Sequence, residues 1–98
     1  MNYEDEIVKA GRVTQVDKVT DLTEGYKPGV PFSVFLNPKE GSDVELGDVV
    51  TMDAELPYSS TAVEVPVVAG DWSPVVFVGL PTGAVDLTKV DVYAGIIK

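Results

Sequence analysis

Carboxylates are the side chains in this sequence best placed to do chemistry, because the 98 residues include no cysteine and no histidine. Their absence removes disulfides, thiolate nucleophiles, the usual zinc centres and every triad that needs an imidazole. Asp43, Glu45 and Asp48 fall close together, as the ligands of a calcium loop would. The alternating oxygen ligands of such a loop, with glycine at its sixth position, are nevertheless missing. On a strand Asp43 and Glu45 share one face, where a solvated acidic edge discourages sheet-to-sheet aggregation. Asp17, Asp21 and Glu24 would converge only on a helix. Two carboxylates alone can hydrolyse a glycosidic bond, but the mechanism needs a walled cleft that so short a chain is poorly equipped to build. The expectation is a protein without catalytic residues, metal or cofactor.

Aromatic residues offer a different kind of site. Tyr26, Tyr58 and Trp72 are candidate surface aromatics for stacking on a sugar or a protein, with Tyr93 as a further member. Against this, the sole tryptophan of a small domain is usually much buried. Trp72 is therefore expected to fold back over the sheet and cap the core, with its indole N–H meeting a loop carbonyl.

Sixteen acidic residues against seven basic ones give a formal charge of -9, which disfavours direct binding to nucleic acid phosphates. A solvated acidic surface is the plainest reading, and a basic partner or nucleic-acid mimicry the sharper ones. No apolar run approaches the roughly 20 residues that cross a bilayer. The acidic opening, Met1 to Glu6, lacks the basic region of a signal peptide. Synthesis in the cytoplasm and no membrane partner are expected.

The elements that must position these residues are short and extended. Val63, Val65 and Val67 alternate with Glu64 and Pro66, the pattern of a half-buried strand, and Val75 to Val78 form an apolar run expected to be a central strand covered on both faces. Gly70 to Pro74 form the corner between them. Val30 to Leu36 read as a strand with Val30, Phe32 and Val34 on one side and Pro31 at an edge. In the strand Val49–Ala54, Val50, Met52 and Ala54 should point inward. Asp86 to Thr88 suit a short helical turn. Val90 to Ile97 make a last strand, with Val90, Val92, Ala94 and Ile96 alternating with Asp91, Tyr93, Gly95 and Ile97, that builds the C-terminus into the sheet.

Val13, Val16, Val19 and Leu22 recur every third residue, but the β-branched content lowers helix propensity and Gly11 interrupts the segment. Residues 1–29 are thus expected to be an extended N-terminal arm and residues 30–98 a compact β domain, with the boundary in the Gly- and Pro-containing turn at 24–29. The fold class is all-β, a small sandwich or open barrel of five to six short strands.

Gly47-Asp48-Val49-Val50-Thr51-Met52-Asp53-Ala54, followed after a loop by Val75-Val76-Phe77-Val78-Gly79-Leu80, resembles the small β-rich decoration proteins of tailed-phage capsids, or the base of a head fibre. The resemblance covers about the central third of the chain. It implies an auxiliary virion protein that binds the outside of the shell, with the major capsid protein or other virion subunits as partner. Homotrimers are implied where the shell has three-fold junctions. Val13, Val16, Val19 and Leu22 would be the partner-binding residues of the arm, ordering on binding. Deleting the residues before Gly25 should then leave a folded domain that no longer binds shells. Two alternatives stand beside it: an acidic nucleic-acid mimic that inhibits a basic protein, and a glycan- or receptor-binding β module.

Overall fold

The computed structural model describes residues 13–59 and 61–97. Five strands are present among them: β1 (Val13–Val19), β2 (Phe32–Pro38), β3 (Val49–Ala54), β4 (Val63–Val68) and β5 (Val90–Ile97). They form two antiparallel sheets, one of three strands in the order β1-β5-β2 and one of two strands, β3-β4. The all-β expectation holds. The C-terminal strand β5 is central in its sheet, with β1 on one side and β2 on the other.

The core lies between the sheets, and strand alternation explains its membership. Val34, Leu36, Val92 and Ala94 come from the inner face of the first sheet, and Met52, Ala54, Val65 and Val67 from the second. Val50 and Val63 are only half buried beside them. On β2 the alternation gives way, because Ser33 and Phe35 on the other face are buried too. Val30, expected on the inner side of this strand, precedes it and stays 43% exposed.

Two expectations need correction. Val75 to Val78 are not a strand, and only Phe77 of the four is fully buried. The segment forms single bridges to several neighbours instead of one ladder: Phe77 with Phe32, Gly79 with Glu55 and Leu80 with Tyr26. It thereby ties the edge of β2 in one sheet to the end of β3 in the other. A chain that must pass from one sheet to the other cannot stay in register with either. The consequence is an irregular connector whose apolar residues still fill the core.

The second correction concerns the arm. Residues 13–19 are a strand of the main sheet, paired with β5 from Val13↔Ile97 to Val19↔Val92. Val19 and Leu22 are buried members of the core. The boundary expected at residue 29 is therefore absent from the described chain, while residues 1–12 lie outside it. A valine every third residue is compatible with a strand because its members then fall on alternate faces: Val19, paired with Val92, points into the core, and Val16, opposite Gly95, lies on the outer face.

The exposed edges are managed in different ways. Along β2, Phe77 exchanges both backbone hydrogen bonds with Phe32, and the Ser73 N–H donates to the Val34 carbonyl at 2.7 Å. The Val34 N–H finds the Ser73 hydroxyl, at 3.0 Å, in place of a carbonyl. That hydroxyl in turn donates to the Val75 carbonyl at 2.9 Å. Ser73→Ala would leave a buried N–H without its acceptor and should cost about 1–3 kcal/mol, read from the urea midpoint. An unchanged midpoint would show that this hydroxyl is dispensable.

On β4 the device is Pro66. The Asp53 N–H donates to the Ala84 carbonyl at 3.0 Å, so it points away from β4. By the two-residue repeat Thr51 points the same way, and Pro66 opposite it turns its nitrogen outward. Proline costs no ladder bond there and blunts the free edge.

Candidate functional site

The carboxylates singled out in the sequence are used locally and do not assemble into a centre. Asp43 pairs with Lys89 at 3.3 Å. Asp48 accepts the Glu45 N–H at 2.9 Å and so closes the turn between them. Asp17 accepts from the Tyr26 hydroxyl at 3.1 Å and from the Gln15 amide at 2.7 Å. Asp21 and Asp86 each lead the same tripeptide, Asp-Leu-Thr, and each caps its own turn by accepting an N–H two residues on, from Thr23 or Thr88. The Thr23 N–H and hydroxyl hold the Asp21 carboxyl below its ordinary value. The Thr88 hydroxyl and then its N–H do the same for Asp86, with lesser help from Lys89 and Lys39.

These two turns face each other across an open depression of about 340 Å³, lined also by Leu22, Thr82 and Val85. Their carboxylates are already engaged in turn bonds. Among the described residues no three Asp or Glu side chains come together as a metal site. A smaller cleft of about 100 Å³ holds Lys18, Lys39 and Asp91. There both ammonium groups lie 3.8 Å from the same carboxylate oxygen. Exposed pairs of this kind contribute about 0–1 kcal/mol each.

The candidate surface aromatics occupy separate places. Tyr26 is half buried, edge-on to Phe32 with ring centroids 5.2 Å apart, on the core side of the sheet. Burial, reinforced by the hydrogen bond and charge of Asp17, pushes its hydroxyl up to about 12. Trp72 lies on the opposite face of that sheet, 5.4 Å from the buried Phe35 ring, with Tyr93 a further 6.4 Å from Phe35. Tyr58, in the turn at 56–59, is 81% exposed. The three do not form one stacking platform. Trp72 is half buried as a cap, but it covers the outer face of the sheet and leaves the core to Phe77. Among the described residues its indole nitrogen is buried without a hydrogen-bond partner, and none of them supplies the loop carbonyl expected for it.

Of the four arm residues, Val19 and Leu22 are committed to the core. Val16 is half buried in β1, opposite Gly95 on the outer face. Val13 contributes its backbone to the same strand. What β1 does offer is its outer edge, which has no strand partner among the described residues.

The chain matches no family model, no characterised protein and no solved structure. Function must then be argued from the surface itself. No helix of the described chain is long and apolar enough to cross a membrane.

One group of surface residues escaped the sequence reading. Leu46, Val49 and Val68 are 66%, 63% and 40% exposed. Val49 and Val68 are direct cross-strand partners at the start of β3 and the end of β4. Leu46 sits in the turn next to them and covers Gly70, where a Cβ would come within 2.7 Å of its side chain. The available signal was phase. In strands whose inward positions are 50, 52 and 54, and 65 and 67, the valines at 49 and 68 fall on the positions that face water.

Proposed function

We propose that this protein is a non-catalytic binding module that attaches to a viral shell as an auxiliary virion protein. The observation that carries the reading is the open edge of β1, a strand fixed to the body by β5 on one side and unpaired among the described residues on the other. Such an edge presents backbone donors and acceptors to which a strand of another protein can add. The likeness of Gly47 to Ala54 and Val75 to Leu80 to decoration proteins directs the reading to the capsid. There the binding free energy of many copies adds up to stabilise a strained lattice.

In this reading the partner-binding element is the β1 edge. Val19 and Leu22 serve the core and only anchor it. Deleting everything before Gly25 would remove both core side chains and a whole strand, so its effect would be on folding before binding. A direct test is co-sedimentation of the full chain with expanded shells built from the major capsid protein encoded nearest to it. Saturable pelleting with the shells, together with a higher shell melting temperature, is expected. Protein that stays in the supernatant at saturating concentration would overturn the assignment.

A further inference from the structure

The outer face of the β3-β4 sheet carries a second feature that the open edge does not explain. Leu46, Val49 and Val68 gather at one end of this sheet: Val49 and Val68 are direct cross-strand partners, and the exposed Leu46 lies over Gly70, two residues beyond Val68. Single exposed valines need no explanation, whereas three together on one face do.

The rim of the patch is acidic. Glu45 and Asp48 lie within two residues of Leu46 in the same turn, and a third acidic residue, the exposed Asp71, follows Val68, its N–H donating to the Val68 carbonyl at 3.2 Å. Further along the face, Asp53 and Glu64 stand directly opposite each other across the strands. Like charges so placed are unfavourable unless something of opposite sign lies over them. The cations of the described chain are engaged elsewhere: Lys18 and Lys39 with Asp91, Lys27 with Glu55, and Lys89 with Asp43.

From this charge pattern we infer that the patch docks an aliphatic protein surface flanked by lysine or arginine. The inference rests on the reading of the protein as a binding module and supplies the chemistry of its partner. A second copy of the chain is a poor occupant, because a two-fold contact would set one acidic rim against another on a protein of charge -9. An aliphatic centre supplies area, and the complementary rim supplies orientation and a salt-dependent on-rate.

The probe for the test is a synthetic peptide with a Leu-Val-Leu centre flanked on both sides by two arginines. It is titrated into the isotope-labelled full chain, and a peptide with glutamates in place of the arginines serves as control. Backbone shifts are expected at Leu46, Val49, Val68 and Asp71. Raising salt from about 0.05 to 0.3 M should weaken binding several-fold, and the glutamate peptide should give no shift. Leu46→Lys and Val49→Lys should each weaken binding about tenfold, as loss of apolar contact and reversal of local charge act together. Val30→Lys, at an exposed valine beyond the far end of β2, should leave it unchanged. Shifts confined to other surfaces, binding indifferent to salt, or concentration-dependent dimers centred on Val49 would each overturn the inference.

The same variants in the shell assay separate the two readings. Shell binding that survives Val49→Lys, with no peptide shifts at the patch, removes this surface and keeps the capsid assignment. Peptide binding at the patch without any shell binding does the reverse.

Discussion

Phe77→Ala is expected to lower stability by about 3–5 kcal/mol, the range for a large aromatic removed from a packed core. Phe77 is fully buried and stands edge-on to Phe32, ring centroids 6.0 Å apart at 88°. Its backbone exchanges hydrogen bonds with Phe32 at 2.8 and 2.9 Å, which holds the ring over the inner face of the first sheet. Two residues later the Gly79 carbonyl accepts from Glu55 at the end of β3. Loss of the ring therefore empties space between the sheets at the point where the connector holds them together.

Neighbours fixed in two separate sheets have little freedom to close that space. For a domain whose total stability is about 5–15 kcal/mol, the variant should be close to unfolding at room temperature. Its melting temperature should fall by roughly 15–30 °C, followed by circular dichroism or calorimetry. Tyr58→Ala, in an exposed turn, is the control and should stay within about 0.5 kcal/mol of the parent. A fall of only a few degrees for Phe77→Ala would show that the connector is peripheral to the core.

Gly25→Ala should be the second most damaging change, for a reason that involves no apolar burial. Gly25 has φ +75°, and a Cβ there would lie 2.5 Å from the Leu80 carbonyl oxygen. That oxygen cannot retreat, since it accepts the Tyr26 N–H at 2.8 Å and belongs to a bridge whose return bond, Leu80 N–H to Tyr26 carbonyl, is also 2.8 Å. The left-handed backbone alone costs a side chain about 1–2 kcal/mol, and relief of the clash adds about as much again. A total of about 3 kcal/mol is expected from denaturant unfolding.

Gly83 separates the two causes. It too has positive φ, at +70°, yet nothing lies within 4 Å of a Cβ built there. Gly83→Ala should cost only about 1–2 kcal/mol. Asparagine, which tolerates the left-handed region, should largely rescue position 83 and fail at position 25. Equal effects at the two positions would remove the steric part of the argument.

Much of the scaffold was legible because it follows the two-residue repeat. Met52 with Ala54, Val65 with Val67, and Val90, Val92 with Ala94 were all readable as inward positions, and all are buried. Where the repeat carries less information, the reading failed. Val75-Val76-Phe77-Val78 shows no alternation, and an uninterrupted apolar run does not distinguish a central strand from a connector that touches two sheets in turn. Val19 and Leu22 looked like an arm because their partners, β5 and the core, lie some seventy residues further along the chain, as the pairing Val19↔Val92 shows. No local signal records such a contact.

The surface was less legible than the core. Tyr26, Tyr58 and Trp72 attracted notice by residue type, yet the fold distributes them over two sides of a sheet and a separate turn. Leu46, Val49 and Val68 drew none, since each is ordinary in its own segment. Only the pairing of β3 with β4 brings them together.

By itself, then, the sequence determined the composition-level properties: an acidic chain without cysteine or histidine, rich in β-branched residues and turn signals, with inward positions marked by alternation. These are local quantities, set by side-chain chemistry and by the pleat of a strand. The tertiary structure decided that residues 13–19 are a strand of the main sheet, that Phe77 bridges the two sheets, and that three scattered aliphatic residues form one patch inside an acidic rim. Those are facts of long-range pairing, in which residues far apart in the chain become neighbours through backbone hydrogen bonds that every residue type except proline can donate.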